Sequence, residues 1–85
     1  MNEIWMIIHK YSVIDENGNR ERHCIGPCSF DSEEEAYAYK EKFINYWSNL
    51  NNHQKRDMKE DMFHTGDKKV IFYPKRDIDI QCWKG

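Results

Sequence analysis

The longest regular spacing of apolar residues in the chain runs from Phe30 to Leu50, FDSEEEAYAYKEKFINYWSNL. Ala36, Tyr39, Phe43, Tyr46/Trp47 and Leu50 recur at steps of three and four, which predicts one stripe of an amphipathic helix facing a core. The start of the helix is encoded locally. Ser32 can accept a hydrogen bond from the free amides of the first turn, Glu35 three residues on can reach back, and Glu33 and Glu34 sit at the positive end of the helix dipole. From Ile4 to Ile14 the period changes to two, which predicts a strand with Ile4, Met6 and Ile8 on one face and Trp5, Ile7, His9, Tyr11 and Val13 on the other. Because both faces carry apolar groups, this strand is expected to lie between two layers or to have one face covered by another subunit.

The segments around these two follow from turn chemistry. Asp15-Glu16-Asn17-Gly18-Asn19 contains an Asn-Gly pair that tolerates the positive φ angles of a tight reversal, so a hairpin is expected there. The returning strand, Arg20 to Ile25, carries Arg20, Arg22 and Cys24 on one side and Glu21, His23 and Ile25 on the other. Gly26-Pro27 should end or bulge its pairing, since proline has no amide to donate and glycine permits a bend. Residues 51–67 are polar apart from Met58 and Met62 and read either as a short helix, capped by Asn51 or Asn52 and stopped by Gly66, or as a long loop. Lys69 to Tyr73 and Ile78 to Trp83 read as two further strands joined by a turn at Pro74-Lys75-Arg76-Asp77. The resulting order, β-β-α-(α)-β-β, predicts a single α+β domain over residues 1–85 with one antiparallel sheet and the main helix across it.

With 85 residues the core is limited, and three Trp with five Tyr are many for it, so some rings are expected on the surface or in a subunit interface. Thirteen basic and fifteen acidic residues give a formal net charge of −2, which argues against a protein that coats long nucleic acid. No apolar leader or long apolar run is present, which predicts a cytoplasmic protein that neither enters nor spans a membrane. The three cysteines read as reduced thiols on core strands. Cys24 and Cys28, with His23 adjacent, depart from the paired spacing of zinc sites, so no metal or other cofactor is expected.

Three kinds of chemistry can be weighed on these residues. His9, His23, His53 and His64, the cysteines and the scattered carboxylates form no recognisable nucleophile elbow or helical metal motif, and Glu33-Glu34-Glu35 is explained by the helix dipole, so no enzymatic activity is expected. Phosphate binding has better material. Arg20 and Arg22 share a strand face, Lys75 and Arg76 occupy a turn, and rings lie near each: Tyr11 across the hairpin from the arginines, Tyr73 beside the turn, and Trp83 on the last strand. Guanidinium groups with stacking rings suit a ligand that combines bases and phosphates, although no Gly-rich phosphate loop is present. The surplus aromatics equally suit a protein interface or self-association.

The opening strand EIWMIIHKY, the helix entry with Phe30, Ser32, Glu34 and Ala36 in a Phe-x-Ser-x-Glu-x-Ala arrangement, and the closing IDIQCW resemble small phage-encoded proteins over about a quarter of the chain. Among characterised proteins the size, layout and general character resemble the phage anti-CBASS sponge family. That resemblance implies a homo-oligomer, a dimer or tetramer, that sequesters a cyclic dinucleotide immune signal such as 3′3′-linked cyclic GMP–AMP without cleaving it. It transfers no individual site residue. The alternative expectation is a phage protein that inhibits a host or defence protein through a direct interface.

Overall fold

A computed structural model describes residues 3–66 and 68–84 of the chain. Its order is β1 (Glu3–Ile14), β2 (Arg20–Phe30), α1 (Glu33–Ser48), α2 (Asn52–Phe63), β3 (Lys69–Ile71), α3 (Pro74–Asp77) and β4 (Ile78–Lys84). The fold is α+β, a four-stranded antiparallel sheet with helices packed on it.

β1 is the central strand. On one side it pairs with β2 through a tight hairpin, from Ile14 opposite Arg20 to Trp5 opposite Phe30. Asp15 ties the turn, its carboxylate accepting from the amides of Asn17 and Asn19 at 2.9 and 2.8 Å, while Gly18 takes the positive φ of 82°. The register shifts once, between Ile7 and His9, where Gly26 and Pro27 face Ile8 alone. Pairing therefore bulges at this dipeptide and continues for another three residues instead of ending at Ile25.

Along its other side β1 pairs with β3 at Ser12–Ile14 and with β4 at Glu3–His9. The two pairings have the same sense, so β3 and β4 lie end to end in one lane and do not form the hairpin that the sequence suggested. The reason is local. Residues 72–77 stand opposite only Lys10 and Tyr11, and Pro74 opens a single helical turn that absorbs the excess without reversing the chain.

α1 begins at the expected place, with Ser32 accepting from the Glu35 amide at 3.2 Å. The reciprocal capping box is complete at α2, where Asn51 accepts from Gln54 N at 2.8 Å and Gln54 Oε1 accepts from Asn51 N at 2.9 Å. Residues 52–63 are thus helix and not loop. α2 is anchored by Phe63, whose ring stacks on Tyr11 at 3.9 Å, with Met58 and Met62 packed at the margin. The helix ends one step past Phe63 on His64, in left-handed conformation at φ 52°, and Gly66 lies beyond the stop.

The core lies between the helices and one sheet face. Ile7, Val70, Phe72 and Ile78 from the strand layer meet Ala36, Trp47 and Phe63, with Tyr39, Phe43 and Leu50 partly buried around them. The helical stripe is therefore the expected one, except that Tyr46 is 58% exposed and lies outside it. Odd-numbered residues of β1 face this core. The even-numbered ones, Ile4 to Ile14, face away; Ser12 is buried there, but Ile4 and Trp83 on that side are exposed, and among the described residues no second layer covers that end. Cys24, Cys28 and Cys82 are free and, contrary to expectation, exposed, because each lies on the uncovered face or toward a sheet margin. Among the described residues no helix is long and apolar enough to cross a membrane.

Candidate functional site

On the uncovered face, near the hairpin end, lies a cavity of about 560 Å³ bordered by Lys10, Ser12, Arg20, Arg22, Arg76 and Asp77. Strand register explains the assembly. Ser12 is opposite Arg22, Ile14 opposite Arg20 and Lys10 opposite Cys24, and opposed residues in an antiparallel pair point to the same face. The third wall comes from α3, where the displaced turn carries Arg76 and Asp77 to the neighbouring lane.

Asp77 organises that wall. Its carboxylate is 12% exposed and accepts from the Tyr73 amide at 2.8 Å and from Arg76 Nε and an Nη at 2.8 and 3.1 Å. Burial alone would raise its pKa, but the Arg76 guanidinium and the Tyr73 amide outweigh this and hold the carboxyl below its ordinary range. Arg76 in turn lies 4.9 Å from the centre of the exposed Tyr73 ring, a cation–π arrangement that fixes the guanidinium plane. Its hydrogen bonds to Asp77 raise its already high pKa.

Lys10 is paired to Asp79 at 3.3 Å. Arg20 and Arg22 have no salt bridge among the described residues, because the intervening Glu21 points to the opposite face. The two guanidiniums stand two residues apart on one strand face, about 7 Å along the strand, a spacing that suits two anionic oxygens on one ligand. Ser12 supplies a hydroxyl at the floor. The arrangement can hold a phosphate-bearing molecule. His23 and Cys24 also border the cavity, and the His23 Nε2 lies 3.2 Å from the Glu21 carboxylate.

Of the residues singled out from the sequence, Arg20, Arg22 and Arg76 meet in this cavity; Tyr73 does not border it and lies beneath Arg76. Tyr11 borders the cavity as well, while its ring is engaged in stacking. It is opposite His23, not Arg20 or Arg22, and stacks between Phe63 and His23 on the helix-covered face. Lys75 is exposed and does not border the cavity. Trp83 lies at the far end of the same face, opposite Ile4. Sequence reasoning missed Lys10, Ser12 and Asp77. The first two could have been found by counting the hairpin register from the Asn-Gly turn, whereas Asp77 looks like any polar turn residue until the chain is seen not to reverse there.

The chain matches no protein-family model, and no curated protein or solved structure matches it.

Proposed function

We propose that the protein binds a cyclic dinucleotide at the cationic cavity and sequesters it without chemical change, acting as a sponge for a nucleotide immune signal. The observation that carries this reading is the convergence of Arg20 and Arg22, free of salt bridges among the described residues, with a stacked and oriented Arg76. A cyclic dinucleotide presents two phosphates and two bases in a compact ring, and a cavity of about 560 Å³ lies within the range of small-ligand sites. The guanidiniums take the phosphates, and the exposed Tyr73 ring beneath Arg76 offers a face for a base. One protomer contributes one such cluster. A two-fold homo-oligomer that brings two together matches the two-fold symmetry of the ligand. The remaining reading, inhibition of a host or defence protein through an interface, draws on the exposed Ile4 and Trp83 of the same face.

Calorimetric titration with a panel of cyclic dinucleotides, followed by heat denaturation and chromatographic recovery, tests the proposal. Binding with recovery of intact ligand is expected. Arg20→Ala and Arg22→Ala should each weaken it by about 1.5–3 kcal/mol, the value of a charge-assisted hydrogen bond. Absence of heat with every cyclic dinucleotide, or recovery of a hydrolysed product, would overturn the sponge reading.

A further inference from the structure

The uncovered face extends well beyond the cavity. From Ser12 back to Ile4, β1 presents Lys10, Ile8, Met6 and Ile4 in turn, a path of roughly 26 Å at a strand rise of about 3.3 Å per residue. β4 runs beside it and contributes Asp79, Gln81 and Trp83, opposite Ile8, Met6 and Ile4. At the far end the Trp83 indole is 55% exposed, and its N–H donates to Gln81 Oε1 at 3.3 Å. That bond steadies the ring while leaving it open to solvent. One end of the face thus carries guanidiniums and the other a large, oriented aromatic ring.

Charge along the face is one-sided. Its carboxylates, Asp77 and Asp79, are bound to Arg76 and Lys10, Asp77 also feels the charge of Arg22, and with Arg20 four cations face these two acids. The acidic run Glu33–Glu35 stands in the first turn of α1, within the helical layer on the other side of the sheet. The net charge of −2 therefore conceals a cationic sheet face.

We infer that this face binds a short single-stranded oligonucleotide, with phosphates on Arg20, Arg22 and Arg76 and a base stacked on Trp83. A cyclic dinucleotide seated in the cavity does not reach Trp83, whereas a linear strand of about four nucleotides, at the lower end of known single-strand site sizes, covers the path. A duplex keeps its bases paired and stacked and offers no free face to the indole, so the exposed ring favours single strands. Apolar Met6 and Ile8 between the two ends accept unstacked bases without demanding a particular hydrogen-bond pattern, and the binding is tolerant of sequence. The inference shares the phosphate contacts of the proposed function but depends separately on the Trp83 end.

The test is fluorescence anisotropy on the full chain with end-labelled oligothymidylates and oligouridylates of two, four and six nucleotides. Affinity should rise at least tenfold from two to four and then level off. Tryptophan emission should be quenched on binding, and Trp83→Ala, a change at an exposed position that leaves the core intact, should abolish that part of the quenching. The same variant should weaken the four-nucleotide probe by about 5- to 150-fold, the loss of one stacked base, and leave the two-nucleotide probe unchanged. Arg22→Ala should weaken every probe and flatten the salt dependence. A gain with length in either the thymidylate or the uridylate series supports the inference, and the better series identifies the preferred sugar. Equal affinity at all lengths in both series, or a Trp83→Ala protein that binds the four-nucleotide probe as the parent does, overturns it. Cyclic-dinucleotide heat without a length effect would leave the proposed function standing and remove this inference; a length effect without that heat would do the reverse.

Discussion

His9 is the residue whose environment contradicts its chemistry most directly. It is 5% exposed, ringed by Tyr39, Phe43 and Phe72 at centroid distances of 6.4, 5.4 and 6.1 Å, and its Nε2 has no hydrogen-bond partner among the described residues. Burial pushes its pKa below the ordinary 6.5. The neighbouring Tyr39 hydroxyl has its pKa raised by burial and stays neutral across the same range. Below pH 6.5 the unfolded chain binds a proton that the folded chain resists, so stability is complete above that pH and falls as the pH drops through it toward the depressed folded value. Denaturant melts at pH 7.5 and pH 5 should show this loss. In His9→Leu, removal of the unpaired buried nitrogen should raise stability by about 1–3 kcal/mol and erase the His9 share of the pH effect. A parent protein equally stable at both pH values would contradict the assignment. Alternation along β1 placed His9 on the inward face correctly, but nothing in the pattern announced that its neighbours would be rings that leave its Nε2 without a partner among the described residues.

At the scale of elements, capping and bulge chemistry decided more than periodicity did. Asn51 with Gln54 turns a polar stretch with two methionines into a helix, and the stabilising side chain, Phe63, lies beyond the stripe that the methionines suggested. Asn51→Ala should cost about 0.5–2 kcal/mol, as loss of an N-cap does, read as a lower denaturant midpoint with unchanged slope. The bulge in β2 depends on Gly26, which sits at φ 142°, a conformation L side chains rarely adopt; a Cβ there would come within 2.8 Å of the Ile7 carbonyl oxygen. Gly26→Ala should therefore cost about 1–3 kcal/mol, whereas an alanine at Gly18, with open space around it, should cost only its φ strain. The bulge was legible because glycine and proline interrupt an otherwise regular strand. The lane shared by β3 and β4 was not. Pro74 suits the first position of a turn and of a helix equally well, and only the six residues set against two on β1 distinguish them.

For the whole molecule, the decisive feature is a sheet whose two long helices, among the described residues, pack on one face. The apolar residues on both faces of β1 predicted cover on both sides; the helices bury Ile7, His9 and Val13, whereas on the other face Ser12 is buried and Ile4 is exposed. Composition could not reveal how the charges divide between the two faces, since a sum of −2 is indifferent to their placement. Register divides them, setting Arg20 and Arg22 on the side away from Glu21. The same uncovered face bears on assembly. Ile4 and Trp83 stay exposed at one end of it, and Tyr37 and Tyr46 stay exposed on α1. Self-association that covers part of this surface should make the melting temperature rise with protein concentration, because association stabilises the folded state by mass action. Adding a cyclic dinucleotide should steepen that dependence if two protomers share each ligand, and should only raise the melting temperature uniformly if each protomer binds alone. Light scattering across the same concentration series settles the first step: a monomeric mass at every concentration, with a melting temperature that does not move, would remove the shared two-fold site and leave the cationic cavity as a single-protomer one.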